Sequence, residues 1–266
     1  MIKMVLHDQH VHCLYSQDSN QPLRPYIEQA ILAKCAYFVT TDHVDIGFPL
    51  GEDWLVDFDA YFKEMNQMQK MYPQIQILKG IELGYMRTHL IQMKSICERY
   101  PFDLINLSIH NAPHIDFYKG YYFKKYGIVE TLDLYFNLII EALNEWDHFQ
   151  VLSHVDYGFK TAYLIDSNLK IADFEPKLIE IFKLLIKKRK ALELNTKVQS
   201  FLPLEHTTYL LKLYYQMGGR KLTLSSDAHE VTHYRYQFDK YLKIIKEVGF
   251  THLCYYVRQK EWLYAI

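Results

Sequence analysis

Short apolar runs alternate with longer segments of helical periodicity along the whole chain. Each run is rich in β-branched and aromatic residues, and this alternation is typical of βα units around a parallel sheet. It predicts an α/β fold with seven strands. These strands are MVLHDQH near residue 4, YFVTTDH from Tyr37, IQILKGIE from Ile75, DLINLSIH from Asp103, FQVLSHV from Phe149, ALELNT from Ala191 and LTLSSDAH from Leu222.

Four of the intervening segments predict helices, at residues 59–72, 132–146, 176–190 and 207–218. The last one repeats apolar residues at helical spacing and ends at Gly218-Gly219, a helix stop. The tail THLCYYVRQKEWLYA predicts a final strand or an edge ribbon. Irregular stretches at 44–56 and 111–127 directly follow strands, where barrel folds carry their chemistry.

The bulk properties favour one globular domain over residues 1–266. Half of the residues are hydrophobic and the formal net charge is -1, so no nucleic-acid partner is indicated. The chain has no apolar stretch long enough for a signal peptide or a membrane span, which favours a cytoplasmic location and no membrane partner. Four scattered cysteines without CxxC spacing predict reduced thiols. They are Cys13, Cys35, Cys97 and Cys254.

Potential metal ligands fall at the ends of six of the seven predicted strands. A single histidine is more often a hydrogen-bonded core residue, but the carboxyl ends of barrel strands meet at one rim. The whole set therefore predicts a multinuclear metal site. Its members are His10, His12, His43, Glu82, His110, His154, Asp227 and His229.

Mixed imidazole and carboxylate ligands suit zinc, iron or manganese, and a carboxylate such as Glu82 can bridge two ions. Alternation along a strand places His10 and His12 on one face, whereas His7 falls on the other and is expected to pack or hydrogen-bond there. Asp8 shares the face of the two ligands and is expected to orient one of them. A bridged pair of ions is typical of a hydrolase.

The motifs DQHVH, SQDS, TTDH, GIE, SIH, SHVD and SSDAH occur in this order through nearly the whole chain. In this combination the sequence resembles the polymerase and histidinol phosphatase (PHP) family, most closely its histidinol-phosphatase branch. The resemblance implies a distorted seven-stranded (β/α)7 TIM-like barrel with three divalent metal ions, which could be zinc, manganese or iron. It also implies a phosphomonoesterase of histidine biosynthesis that hydrolyses L-histidinol phosphate by attack of a metal-bridging hydroxide.

The family pattern also implies which residues hold each ion. The first ion would take His10, His12, Glu82 and Asp227, and the second would share Glu82 with His110 and His154. The third would take Asp18, His43 and His229, with Asp18 standing where some relatives have histidine. Within this set, Glu82, Asp227 and His229 are the expected catalytic residues.

Substrate contacts are less defined by the sequence. Lys160 and Lys197 are the cations that follow the fifth and sixth strands, and either could instead be a solvated surface charge. Asn195 could face the pocket or hydrogen-bond to a neighbouring loop, and His114 is a candidate contact. The segment 111–127 interleaves tyrosines with lysines and could form a lid or a packed surface loop.

Three alternatives remain open. The enzyme could act on another small phosphomonoester. It could be a metal-dependent amidohydrolase, although that class expects eight strands and has no evident use for Asp18, His43 and Glu82 as additional ligands. It could also be a non-catalytic PHP module, although such modules tend to have lost ligands.

Overall fold

The computed structural model describes residues 7–48, 51 and 53–266. Its centre is a curled parallel sheet of six strands in the order β1-β2-β3-β6-β7-β8, with two separate antiparallel ribbons. The strands are Tyr37–Val44 (β1), Gln76–Gly84 (β2), Leu104–Ser108 (β3), Asn111–Ala112 (β4), Ile115–Asp116 (β5), Val151–Leu152 (β6), Ala191–Asn195 (β7), Leu222–Ser225 (β8), His252–Val257 (β9) and Lys260–Ala265 (β10).

Helices connect the parallel strands and cover the sheet with their apolar faces. In α7 the buried residues Leu178, Ile181, Phe182 and Leu185 recur at helical spacing. No described helix has the length and apolar character that crossing a membrane requires. The α-helices are Leu23–Leu32 (α1), Phe58–Met71 (α2), Leu90–Arg99 (α3), Gly120–Tyr126 (α4), Ile128–Glu145 (α5), Tyr157–Tyr163 (α6), Glu175–Lys188 (α7), Thr196–Gln199 (α8), Leu204–Gln216 (α9) and Phe238–Val248 (α10).

The sheet contains six of the seven predicted strands, and the four predicted helices are present as α2, α5, α7 and α9. The prediction of seven strands is only partly confirmed, because residues 4–6 of the first one lie outside the described residues and residues 7–10 form no strand. The backbone after it contacts both edges of the sheet. Val11 O accepts from Thr41 N at 2.8 Å, and His12 N donates to Ala228 O at 2.8 Å.

The predicted tail ribbon is present as the antiparallel pair β9 and β10. Cys254 and Tyr256 of β9 pack against the amino-terminal parts of the parallel strands, including Tyr37 and Ala191. The ribbon therefore covers the end of the sheet opposite to the strand ends that carry the predicted ligands.

The prediction of an irregular segment at 111–127 is wrong. It forms the two-residue strands β4 and β5 and then the short helix α4. The segment lacks a long helical repeat, but burial of Tyr122 and Phe123 against the core stabilises the short helix α4. Gly127 ends this helix with a φ of 93°. The earlier segment, 44–56, folds back through a bridge between Asp45 and Trp54, and its residues 49, 50 and 52 lie outside the description.

Candidate metal centre

The nine predicted ligands converge at the carboxyl end of the sheet. Their ligand atoms form overlapping groups, and within each group all atoms lie within 4.8 Å of one another. The groups are His12, Asp18, His43 and His229; His10, His12 and Asp227; and His43, Glu82 and His110. His154 joins them through its Nε2, which lies 2.7 Å from Glu82 Oε1.

Glu82 occupies the middle of the cluster and is fully buried. Its Oε1 faces His154 and His110, with a distance of 3.3 Å to His110 Nε2. Its Oε2 faces His43 Nδ1 at 3.0 Å and His10 Nε2 at 3.2 Å. With one oxygen toward each pair of histidines, the carboxylate has the geometry that a bridging ligand needs.

At the other side of the cluster, Asp227 and Asp18 pair with the remaining histidines. Asp227 Oδ1 lies 3.2 Å from His12 Nε2 and 3.5 Å from His229 Nδ1. Asp18 Oδ2 lies 3.0 Å from His229 Nε2 and 3.6 Å from His43 Nε2. Asp227 is also one of the residues with positive φ, at 53°, so the backbone turns sharply where it presents this carboxylate.

Two acids that the sequence reasoning missed support the histidines from behind. Glu193 Oε1 lies 2.8 Å from His10 Nδ1, and its Oε2 accepts a hydrogen bond from His154 N at 2.8 Å. Asp45 holds His110 Nδ1 at 3.0 Å. Such contacts fix the orientation of an imidazole ligand and raise its basicity.

The prediction that Asp8 orients a ligand imidazole is wrong. Its carboxylate accepts from the backbone N–H groups of Ser226 at 2.9 Å and Arg235 at 3.0 Å, so it ties the first segment to the loop after β8. The ring of His12 is instead held by Ser16, whose Oγ lies 2.9 Å from Nδ1. Together with the Ser226 hydroxyl, these backbone donors satisfy the Asp8 carboxylate, so it has no imidazole partner among the described residues.

His7 has the structural role expected from its position. Its ring stacks on Tyr37 with centroids 4.1 Å apart, and its Nε2 accepts from Ala36 N at 3.1 Å. Burial lowers the pKa of His7 to about 4, so the ring is neutral and can accept this bond.

Several ligand atoms are buried without a hydrogen bond in the described part of the chain. They are His10 Nε2, His12 Nε2, His43 Nδ1 and Glu82 Oε2. Buried polar atoms are normally bonded, and these four point into one cluster of nitrogen and oxygen donors. The donor set and its unsatisfied atoms fit divalent metal ions with borderline ligand preferences, such as zinc, iron or manganese.

The electrostatics of the cluster agree with this interpretation. Burial alone would favour neutral Glu82, but His10 and His110 hold its pKa well below the usual range. Burial would lower the pKa of His110 as well, yet Asp45 and Glu82 raise it to about 10. The protein has therefore assembled buried carboxylates that require positive charge beside them.

A cavity of about 380 Å³ lies above this cluster. Aromatic side chains, including Trp54, Tyr118 and Tyr157, line its walls, and Lys119, Lys160 and Lys197 supply cations. This is room for a small molecule that carries an anionic group.

The predicted substrate contacts divide into two groups. Lys160 and Lys197 both line the cavity, and burial lowers the pKa of Lys160 to about 8. Asn195 instead caps α8 and donates to Asp227 Oδ2 at 3.2 Å. Its side chain therefore has the structural hydrogen-bonding role that the sequence offered as the alternative to a pocket-facing one. His114 is exposed at the turn between β4 and β5, with a φ of 67°, and does not line the cavity.

The chain matches the model of the PHP domain over residues 8–197. It is 30% identical over 226 residues to the "Probable histidinol-phosphatase" of Clostridium acetobutylicum, which covers 84% of this chain and 86% of that protein. It is 28% identical over 250 residues to the histidinol-phosphatase of Lactococcus lactis, which covers 92% of each.

Comparison with solved structures agrees with the sequence matches. The crystal structure of the Lactococcus lactis histidinol phosphate phosphatase, complexed with zinc, L-histidinol and phosphate, superposes with a TM-score of 0.88 at 26% identity. The match covers 97% of this chain and 99% of that one. Together with the domain match over more than half of the sequence, these similarities show that the chain belongs to the PHP family.

Proposed function

We propose that this chain is a metal-dependent histidinol-phosphatase, which hydrolyses L-histidinol phosphate to L-histidinol and phosphate. The observation that carries the proposal is the convergence of nine predicted ligand residues beneath a cavity with three lysines on its wall. The similarity to enzymes of this activity supports the same conclusion.

We assign three divalent ions to the cluster, following the family pattern. His10, His12, Glu82 and Asp227 would hold the first; Glu82, His110 and His154 the second; Asp18, His43 and His229 the third. The spacing of the ligand atoms supports these sets, although His12 also lies near the third set and His43 near Glu82. The backbone bonds of Val11 and His12 to both sheet edges support closure into a seven-stranded barrel.

Bound divalent ions would supply Lewis acidity toward the phosphoryl oxygens and a water activated at neutral pH. The role of the three expected catalytic residues, Glu82, Asp227 and His229, would be to hold these ions in position around the phosphoryl group. Lys160 and Lys197 approach from α6 and α8 and would contact the phosphate as point charges, which lack the bidentate fork of arginine.

Lys197 already contacts the cluster. Its Nζ lies 3.0 Å from His229 Nδ1 and 3.7 Å from Asp227 Oδ1. Lys160 is instead surrounded by rings, with its Nζ 4.4 Å from the centroid of Tyr157 and 5.3 Å from that of Tyr118. A buried ammonium among aromatic rings is poorly solvated and gains from an anion placed beside it.

The experiment is a substrate panel with the metal-loaded protein. Phosphate release from L-histidinol phosphate is compared with release from sugar phosphates, nucleotides and an aryl phosphate, and elemental analysis counts the ions per chain. A clear preference for L-histidinol phosphate supports the proposal. Equal rates for the aryl phosphate would leave a general phosphomonoesterase, and only one or two ions at saturation would contradict the trinuclear assignment.

A further inference from the structure

Asp116 is a buried carboxylate on the wall of the same cavity, and the fold fixes its position closely. It ends β5, where it pairs with Asn111 of β4, and the next residue, Phe117, donates its N–H to His110 O at 3.0 Å. Its exposed fraction is 7% and it lines the cavity. The short hairpin therefore places an acid beside a predicted metal ligand without making it part of the cluster.

Asp116 has no ion pair within 4.0 Å in the part of the chain that the structure describes. Its Oδ1 accepts a hydrogen bond from Tyr118 N at 2.8 Å, but no described Lys, Arg or His nitrogen forms an ion pair with it. The side chain of Lys119 approaches the ring of Tyr118 instead, with Nζ 5.3 Å from its centroid. Each of the predicted carboxylate ligands, by contrast, pairs with at least one histidine.

Burial raises the pKa of Asp116, and this effect exceeds the opposing effects of the Tyr118 N–H and of the charges on Lys119 and His110. A cation delivered into the cavity would remove this penalty. The proposed metal centre, Lys160 and Lys197 would provide for an anionic group at other positions of the cavity wall. The cavity thus offers cations for a phosphate and, at Asp116, a buried acid without a close ion pair for a positive group.

We propose that Asp116 binds the ammonium group of the substrate and thereby determines specificity for amino-alcohol phosphates. The inference rests on the proposed function. L-histidinol phosphate carries an ammonium on the carbon next to its phosphorylated hydroxymethyl group. Above pH 7 its imidazole is largely neutral, so the ammonium is the cation that a buried carboxylate selects. Asp116 is a specificity residue in this scheme, and the bond-breaking step belongs to the metal cluster.

The test compares two proteins with two substrates. Wild type and Asp116→Asn are assayed with L-histidinol phosphate and with its deamino analogue, the phosphate ester of 3-(imidazol-4-yl)propan-1-ol. Asparagine keeps an oxygen that can accept from Tyr118 N. A charge-assisted hydrogen bond in a buried site corresponds to about 10- to 100-fold in kcat/KM. Wild type should prefer the amino substrate by this factor, and the variant should process both substrates at the wild-type rate for the analogue.

Asp116→Glu serves as the conservative variant, because it retains the charge and should keep part of the preference. Asp173→Asn, at an exposed position, is the matched control and should behave as wild type. Metal content and thermal unfolding are measured for every variant to verify an intact site.

A loss of kcat/KM that is equal for both substrates would overturn the proposal, because Asp116 would then only position the loop. An unchanged preference in Asp116→Asn would overturn it as well, while the proposed function would stand. If wild type hydrolyses L-histidinol phosphate no better than an aryl phosphate, the proposed function fails and this inference fails with it.

Discussion

Replacing Glu193 with glutamine should weaken metal binding without changing any ligand. Glu193 joins two ligand residues, because one oxygen lies 2.8 Å from His10 Nδ1 and the other accepts from His154 N at 2.8 Å. The side chains of Glu193 and His10 are both 0% exposed. Glutamine preserves the shape and one acceptor oxygen, but it removes the charge and presents an NH₂ group where the second oxygen accepted hydrogen bonds.

The expected magnitude follows from this geometry. Loss of a hydrogen-bonding partner behind a ligand histidine lowers metal affinity about 10- to 100-fold. That factor corresponds to about 1.4 to 2.7 kcal/mol. Because the pair is fully shielded from solvent, we expect the upper part of this range. The metal-bound protein should lose stability by a similar amount, since binding to the folded state contributes to its stability.

The assay is a competition titration of the metal-free protein with Zn²⁺ and a chromophoric chelator, together with hydrolysis measured across metal concentrations. The variant should need more metal for half-maximal activity and recover much of its turnover at saturation. Glu180→Gln, at an exposed position on α7, is the control and should match wild type. Equal zinc affinity in Glu193→Gln and wild type would refute the reasoning, because Glu193 would then have no role in supporting the ligands.

Three further expectations follow from the described contacts. Lys160→Arg should extend the alkaline limb of the kcat/KM profile to higher pH. Burial lowers the pKa of the lysine to about 8, so its charge is lost above that value, whereas a guanidinium stays charged. Coincident pH profiles of the variant and wild type would contradict this. Folding lowers the pKa of His7 from 6.5 to about 4, so its contribution to stability is present above pH 6.5 and is lost as the pH falls toward 4. His7→Gln should therefore flatten the pH dependence of the free energy of unfolding, measured with urea, between these values. An unchanged slope would assign that dependence to other groups. Alanine at both Asp227 and His229 should abolish hydrolysis while circular dichroism stays native-like, and retained turnover would rule out a catalytic role for this end of the cluster.

Eight of the nine proposed ligands could be predicted from the sequence because they lie at the ends of apolar runs, and the carboxyl ends of barrel strands meet at one rim. His43 illustrates this, since it follows YFVTTD directly and the structure places it at the end of β1 beside Glu82. Asp18 ends no such run and is predicted only through the family resemblance. Strand type, order and approximate bounds depend on local patterns of apolar residues, and these patterns are strong here.

The supporting acids could not be predicted in the same way. Glu193 is an acid inside the apolar run ALELN, which indicates a buried charge but not its partner, and His10 lies 183 positions away. Asp45 gave a weaker signal, because it follows β1 in a segment that has no periodic pattern. The error about Asp8 has the same origin, since strand parity gives the face of a side chain but not which donors reach it.

The contacts of the segment from His10 to His12 have a consequence for biosynthesis. This segment leaves the ribosome long before its backbone partners Asp227 and Ala228, which follow much later in the sequence. Until those residues emerge, His10 and His12 lack both their strand neighbour and Asp227, which lies beside their ring nitrogens. A nascent chain that lacks these residues therefore cannot complete the proposed first metal set, so full metal loading follows the translation of Asp227. A complete metal complement is thus a property of chains that extend at least to Asp227.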